Sequence, residues 1–388
     1  MTQPVMTQPD QTTRSWFTFR KLCLLLLIAF VFCLTPFVVS YWLPNTPARM
    51  IRANGGEVQY KGLIIPPVFG KRFGGIRSIT IPVSKDFQVT DEFISSLGEQ
   101  QYLSVLTLGN TQNPTSITDQ GLVALKKYLL QYLSITGGSI TDAGLNELTK
   151  IPTLSVLSLN EVEVTGEQFQ TAPAWTKLEI LQLIGSKMAD AGLEKLSLIP
   201  NLFFLNLSNT SIEGDGLQYL SNLKKLSDLN LDNTNVKADA LNHLSAVKSL
   251  RSLSMQGASI NDAHVREISK VKQIAFLMLN DSQVTDQGLV PLTKMKNLKE
   301  LFLSNTSITD AGIAHLIHSE SLMKLDLSNT AITDQVTESL LKIPQLKVLN
   351  LSDGQLSDDV IHSLQNSGID VYIMKPSVFP NTTMSAGI

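Results

Sequence analysis

A repeat of 24 residues governs most of this chain. With Leu130 as position one of a unit, the same frame returns at Leu154, Leu178, Leu202, Leu226, Leu250, Ile274, Leu298, Leu322 and Leu346. Two more units extend the array N-terminally, beginning at Leu103 and Ile76, each 27 residues before the next. Self-similarity at a fixed period of this length means stacked supersecondary units. No unit carries enough apolar surface to bury its own face, so each is stable only against its neighbours and the ends need caps. Such a chain is a long surface, and surfaces usually bind.

The clearest unit, Leu322 to Gln345, reads LMKLDLSNTAITDQVTESLLKIPQ. Its Leu325 and Leu327 have the period of a strand, so they point to one side while Lys324, Asp326 and Ser328 point to the other. After Ile332 the period changes, with Val336, Leu340 and Leu341 at helical spacing. Thr-Asp stands at this switch in many units: Thr118-Asp119, Thr141-Asp142, Thr285-Asp286, Thr309-Asp310 and Thr333-Asp334. Short polar side chains before an apolar helical run are N-cap signals, and the pairs are read as caps rather than as a metal or acid–base array. Three units depart from the pattern, at Thr165-Gly166, Glu213-Gly214 and Lys237-Ala238, and in the last two Asp215 and Asp239 shift the expected cap by one residue. Position nine is small and polar, as in Thr210, Thr234, Ser282, Thr306 and Thr330, and is expected to bond the backbone where the strand turns toward the helix.

The frame Leu322, Leu325, Leu327, Thr330, Ile332 and the run NTSITDAGIAHL (Asn305 to Leu316) resemble the cysteine-containing class of leucine-rich repeats, best known from F-box substrate adaptors. Thr, Ser or Ala mostly stands where that class often has Cys. The resemblance covers residues 76–373, about twelve units. It implies an α/β solenoid, a horseshoe with parallel strands on the concave side and helices on the convex side. It does not imply F-box function, because the separate helical module is missing from the sequence.

From Leu22 to Leu43 the chain reads LCLLLLIAFVFCLTPFVVSYWL without a charge. As a helix this stretch rises about 33 Å, enough for a hydrocarbon core of ~30 Å. Tyr41 and Trp42 suit an interfacial aromatic belt, and Arg14, Arg20 and Lys21 flank the N-terminal side, against Arg49 and Arg52 on the other. The favoured reading is a single-pass membrane anchor with its N-terminus in the cytoplasm and the repeats outside. A cleaved signal peptide, with Val38 and Ser40 at the small-residue positions, is the alternative; the apolar core is longer than the roughly 7–15 residues usual there. Residues 1–21 then form a cytoplasmic tail. Residues 45–75 join anchor to repeats as an N-terminal cap, with a short helix over Pro47–Asn54, the turn Gly55-Gly56 and a strand at Glu57–Tyr60. A turn and strand of this kind after a membrane segment is similar to other bacterial membrane-anchored leucine-rich repeat proteins. At the far end Ile369–Ile373 reads as a closing strand, and residues 374–388 as a flexible tail.

Composition excludes several classes. The two cysteines, Cys23 and Cys33, both lie in the apolar segment, so the repeats have neither disulfides nor thiol chemistry. A net charge of −3 with interspersed signs argues against nucleic acid. No catalytic constellation, cofactor loop or metal set stands out. His315 and His318 share a helix face without a third ligand, and all five histidines (His243, His264, His315, His318 and His362) read as helix-side residues. Asn-x-Ser/Thr at Asn206, Asn209, Asn280, Asn305, Asn350 and Asn381 mostly follows from the strand pattern. What remains is the face formed by positions two, three, five and seven. It is mostly small and polar, broken by Phe203, Phe204, Phe276, Met278 and Phe302, with Asn206, Asp228, Asn230, Asp232 and Arg251 among them. The units from Leu202 to Leu298 span about 19 Å across four strand steps, the scale of a peptide or one protein surface element. The expectation is a membrane-anchored interaction protein that binds an unknown protein or peptide there and is not an enzyme. The alternatives are a cytoplasmic F-box-like adaptor or scaffold, and an enzyme acting on envelope polymers.

Overall fold

The computed structural model describes residues 57–61, 75–81, 88–100, 102–170 and 175–374. The expected membrane segment, cytoplasmic tail, juxtamembrane helix and residues 375–388 lie outside these. Among the described residues no helix is long and apolar enough to cross a membrane.

Fifteen strands are described, most of them placed by their unit's Leu-x-Leu core. They are β1 (Glu57–Lys61), β2 (Gly75–Ile81), β3 (Val105–Leu108), β4 (Thr115–Thr118), β5 (Tyr132–Ser139), β6 (Val156–Asn160), β7 (Ile180–Gln182) and β8 (Phe204–Asn206). The array continues with β9 (Asp228–Asn230), β10 (Ser252–Ser254), β11 (Phe276–Met278), β12 (Glu300–Phe302), β13 (Lys324–Asp326), β14 (Val348–Ser352) and β15 (Asp370–Met374). They form one open sheet in sequence order, with β4 set aside against β5. All neighbours from β2 onward are parallel, and β1 pairs antiparallel with β2. Register follows the repeat: Leu205, Leu229, Leu253, Leu277, Leu301, Leu325 and Leu349 stand side by side. Ile79 pairs with Leu106, which places Ile76 as position one of the first unit. Helical segments return most of the strands to the next. Helices pack ~8–10 Å apart and strands ~4.8 Å, so the sheet side becomes concave. The chain is an α/β leucine-rich repeat solenoid, and its core is one continuous row of Leu, Ile and Val.

In the nine units from Leu130 to Leu322 the turn after the strand takes a left-handed residue at position eight. Asn209, Asn233, Asp281, Asn305 and Asn329 have φ of 54–57°. Asn and Asp tolerate this region because their short side chains bond locally. Glu161 occupies it too, at φ 55°. Position nine closes the turn as expected: Thr234 Oγ1 and Ser282 Oγ each donate to the carbonyl three residues back, at 2.6 Å. These bonds lie within a unit and make no ladder between units.

The ladder between units comes from the aspartates of Thr-Asp. Thr118, Thr141, Thr285, Thr309 and Thr333 are the N-caps, accepting the backbone N–H two residues on. Each Asp is instead the first helical residue and reaches the following unit. Asp286 accepts the Thr309 N–H at 2.8 Å and the Thr309 hydroxyl at 2.7 Å. The same pair of bonds links Asp91 to Thr118, Asp119 to Thr141, Asp142 to Thr165, Asp262 to Thr285 and Asp310 to Thr333. The reading of these aspartates as caps is corrected accordingly. It also explains the glycine in T-D-x-G: a Cβ on Gly144, Gly288 or Gly312 would sit on the carboxylate oxygen of the preceding unit's Asp.

The three irregular units depart as their sequences do. Residues 166–170 form no α-helix; Asp142 gathers the N–H groups of Gly166 (2.8 Å) and Gln168 (2.9 Å), and Trp175 and Phe169 fill the space, their ring centroids 5.5 Å apart. Asp215–Asn222 and Asp239–Ala246 are 3₁₀ segments without side-chain caps, so the shifted caps expected of Asp215 and Asp239 are not formed. His264 lies in the helix Asp262–Ile268, on the helix side as its spacing implied. It is buried, its Nδ1 accepts the Asn261 N–H in a capping box, and its Nε2 meets the Val236 carbonyl at 3.0 Å.

Candidate functional site

On the concave face each unit presents position three and position five. Curvature toward the strands crowds these side chains, and position five is the more crowded. Asn206, Ser254, Phe302, Asp326 and Asn350 are all buried there. Asn206 and Phe302, at 5% and 7% exposure, therefore do not stand free on the surface as the strand alternation implied.

Most polar side chains of this face satisfy one another. Buried Asp232 receives the Ser254 hydroxyl (2.6 Å), the Gln256 N–H (2.8 Å), Gln256 Nε2 (2.9 Å) and Asn230 Nδ2 (2.9 Å). Gln256 then accepts from Asn280 Nδ2 at 3.1 Å, and Asn280 accepts the Ser304 N–H at 2.8 Å. Asn206 Oδ1 accepts the Ser208 N–H at 2.9 Å, and Asp326 accepts the Ser328 N–H at 2.9 Å and Asn350 Nδ2 at 3.2 Å. Asp228 takes the hydroxyl of Ser227. Arg251 folds back on the Lys248 and Leu250 carbonyls, at 2.9 and 2.8 Å.

The apolar residues divide into two groups. Phe203 and Phe204 sit on the Leu202 unit, Phe203 at the strand's entry edge and 36% exposed, Phe204 beside Ile180 and Asp228. Two units without aromatics, carrying Asp228 and Ser252 at position three, separate them from Phe276, three strand steps or about 14 Å away. The second group is continuous. Phe276 and Phe302 lie 4.9 Å apart between ring centroids, tilted by 42°, and Met278 is the register partner of Phe302. Phe276 and Met278 are half-buried, leaving edges toward solvent.

Two charged residues that strand alternation alone did not single out complete this group. Lys324 Nζ lies 5.1 Å from the Phe302 ring centroid and 3.9 Å from a Glu300 carboxylate oxygen. A cation over a ring face is held by the ring's quadrupole. Position three thus reads Phe276, Glu300, Lys324 across three adjacent strands. The signal was in the sequence, but only when one position is read across units rather than one unit along its length. The patch offers an apolar edge, a cation and a carboxylate on three neighbouring strands. These groups suit recognition of a surface with an apolar anchor and a charge. Among the described residues no group of three His, Cys, Asp or Glu is placed to hold a metal ion.

No family model and no curated protein matches the sequence. Solved structures of similar shape include an internalin (InlF) of Listeria monocytogenes, 20% identical, with a TM-score of 0.48, covering 79% of this chain and 87% of that one. Internalin C2 of the same organism is 22% identical with a TM-score of 0.40, covering 52% and 83%. A leucine-rich repeat protein of Leptospira interrogans is 18% identical with a TM-score of 0.44, covering 76% and 83%.

Proposed function

We propose that this chain is a leucine-rich repeat interaction protein whose concave face holds a protein or peptide at Phe276, Met278, Phe302, Glu300 and Lys324. The observation that carries the reading is a contrast within one face. Elsewhere the concave carboxylates and amides are taken up by internal hydrogen bonds, whereas here an apolar edge and two charges remain accessible. The same contrast favours binding over catalysis, since Asp232 and Asp326 are committed to structural bonds. Aromatic anchors bordered by charge are the usual composition of a binding hot spot.

In the same proposal the Leu22–Leu43 segment anchors the chain in a membrane with the repeats outside the cytoplasm, supported by its length and lack of charge. Phe276→Ala combined with Lys324→Glu is expected to weaken partner binding at least tenfold while the melting curve stays within a few degrees of the parent's, because both side chains are partly exposed. Phe203→Ala serves as the distant control and leaves binding unchanged. Equal loss from the control, or no loss from the pair, overturns the assignment. Protease treatment of cells with the outer barrier opened and the inner membrane intact is expected to digest the repeats. Digestion only after the inner membrane is breached places them in the cytoplasm.

A further inference from the structure

The two ends of the sheet are finished differently. At the N-terminal end β1 runs antiparallel to β2 and carries the exposed Glu57, a charge that blunts an edge against unwanted pairing. At the C-terminal end the helix Asp358–Asn366 gives the convex side a polar outer face, with Asp358, Asp359, His362, Ser363, Gln365 and Asn366 exposed. A polar outer face is what a terminal repeat needs to stay soluble. The strand that ends the sheet lacks it. β15 reads DVYIM, and Tyr372, Ile373 and Met374 are 56%, 40% and 48% exposed. Among the described residues nothing pairs with its outer edge.

The hydrogen-bonding phase of that edge is determined. Asp370 gives its N–H to Lys347 of the adjoining strand at 2.7 Å. Alternation along the parallel pair then turns the N–H and C=O groups of Asp370, Tyr372 and Met374 inward, and those of Val371 and Ile373 outward. An antiparallel copy of β15 placed about a two-fold axis at Tyr372 meets this pattern in full. Val371 of each copy exchanges both backbone bonds with Ile373 of the other, and the two Tyr372 residues form the closer, non-hydrogen-bonded pair between them. Two-folds centred on Val371 or Ile373 use fewer of these groups. The arrangement is complementary in side chains as well. Val371 faces Ile373 of the second copy on the core side.

We infer that the outer edge of β15 is the docking surface for a second copy of this chain, joined antiparallel about Tyr372. This interface is distinct from the Phe276–Lys324 patch. Because the two-fold stands perpendicular to the sheet, it places both concave faces on the same side, so the pair presents two binding patches to one partner surface.

The test uses the full chain in detergent with Cys23→Ser and Cys33→Ser, so that any disulfide reports on one introduced cysteine. Tyr372→Cys is expected to form a covalent dimer under mild oxidation, since the paired Cα atoms lie about 4.5 Å apart. Asp370→Cys is expected not to, because its copies stand about 14 Å apart, beyond disulfide reach. Adding Ile373→Pro to Tyr372→Cys removes an outward N–H without touching the bonds to β14, and is expected to cut dimer formation by roughly tenfold or more while leaving the circular dichroism melt unchanged. Absence of the Tyr372→Cys dimer overturns the inference. So does equal cross-linking at Asp370→Cys, dimer yield indifferent to Ile373→Pro in a folded chain, or a different protein trapped on Tyr372→Cys in place of a second copy.

Discussion

Glu161 stands where four other units place Asn and a fifth places Asp, in the left-handed region at φ 55°. A side chain without a local hydrogen bond costs roughly 1–2 kcal/mol there. Glu161→Asn is therefore expected to stabilise the protein by about 1 kcal/mol, read as a shift of the urea midpoint with an unchanged slope. No shift means that Glu161 already gains an equal compensation from its neighbours. Tyr128 provides a titratable probe of packing. Its hydroxyl donates to the Gly98 carbonyl at 2.6 Å, and burial pushes its pKa up to about 12. An unfolded tyrosine ionises near ~10, so the unfolded chain loses this proton first. The stability linked to Tyr128 is complete below that lower value and is lost as pH rises toward the folded one. Ultraviolet titration of the phenolate band is expected to show a late step that Tyr128→Phe removes. At this scale the position-nine hydroxyls were legible from residue type alone. The role of Asp in Thr-Asp was not, because its partner lies a whole unit away and local capping chemistry explains the same residue equally well.

The elements are held to one another by the Asp ladder and by the glycine that makes room for it. Gly312→Ala is expected to destabilise by roughly 1–3 kcal/mol, since its Cβ would collide with Asp286. Asp286→Ala loses two hydrogen bonds to Thr309, at about 1 kcal/mol each. The double variant is expected to be less destabilised than the sum, because removing the carboxylate also removes the collision. Strict additivity, measured by chemical denaturation of all four proteins, contradicts this account of T-D-x-G. Strand positions and their register were readable because Leu-x-Leu recurs on a fixed count. Helix type was not: Asp215–Asn222 and Asp239–Ala246 wind as 3₁₀ segments although their apolar spacing resembles that of the α-helical units. Those units lack the Thr cap, and a segment of only eight residues between fixed strands leaves either winding possible. Leu341 shows the same limit, since it shares the helical apolar spacing of Val336 and Leu340 and is 42% exposed.

The whole molecule is a row of units whose inner sheet surface is mostly self-satisfied. That is why only part of the candidate site was legible. Strand alternation correctly placed Phe204, Asp228, Asn230, Phe276 and Met278 away from the leucine core, but it carries no information on curvature. Curvature buries Asn206 and Phe302, and distance separates Phe203 and Phe204 from Phe276. What survives is one compact patch of apolar edge, cation and carboxylate. The account's central claim is that this patch, and no convex surface, meets the partner. A photo-crosslinking residue placed at Phe276 in living cells tests it, compared with the same residue at Leu198, which is 61% exposed on the helix side. The account predicts a discrete protein adduct from position 276 that Lys324→Glu abolishes, and none from position 198. An adduct from position 198 alone, or one from position 276 that survives Lys324→Glu undiminished, contradicts it.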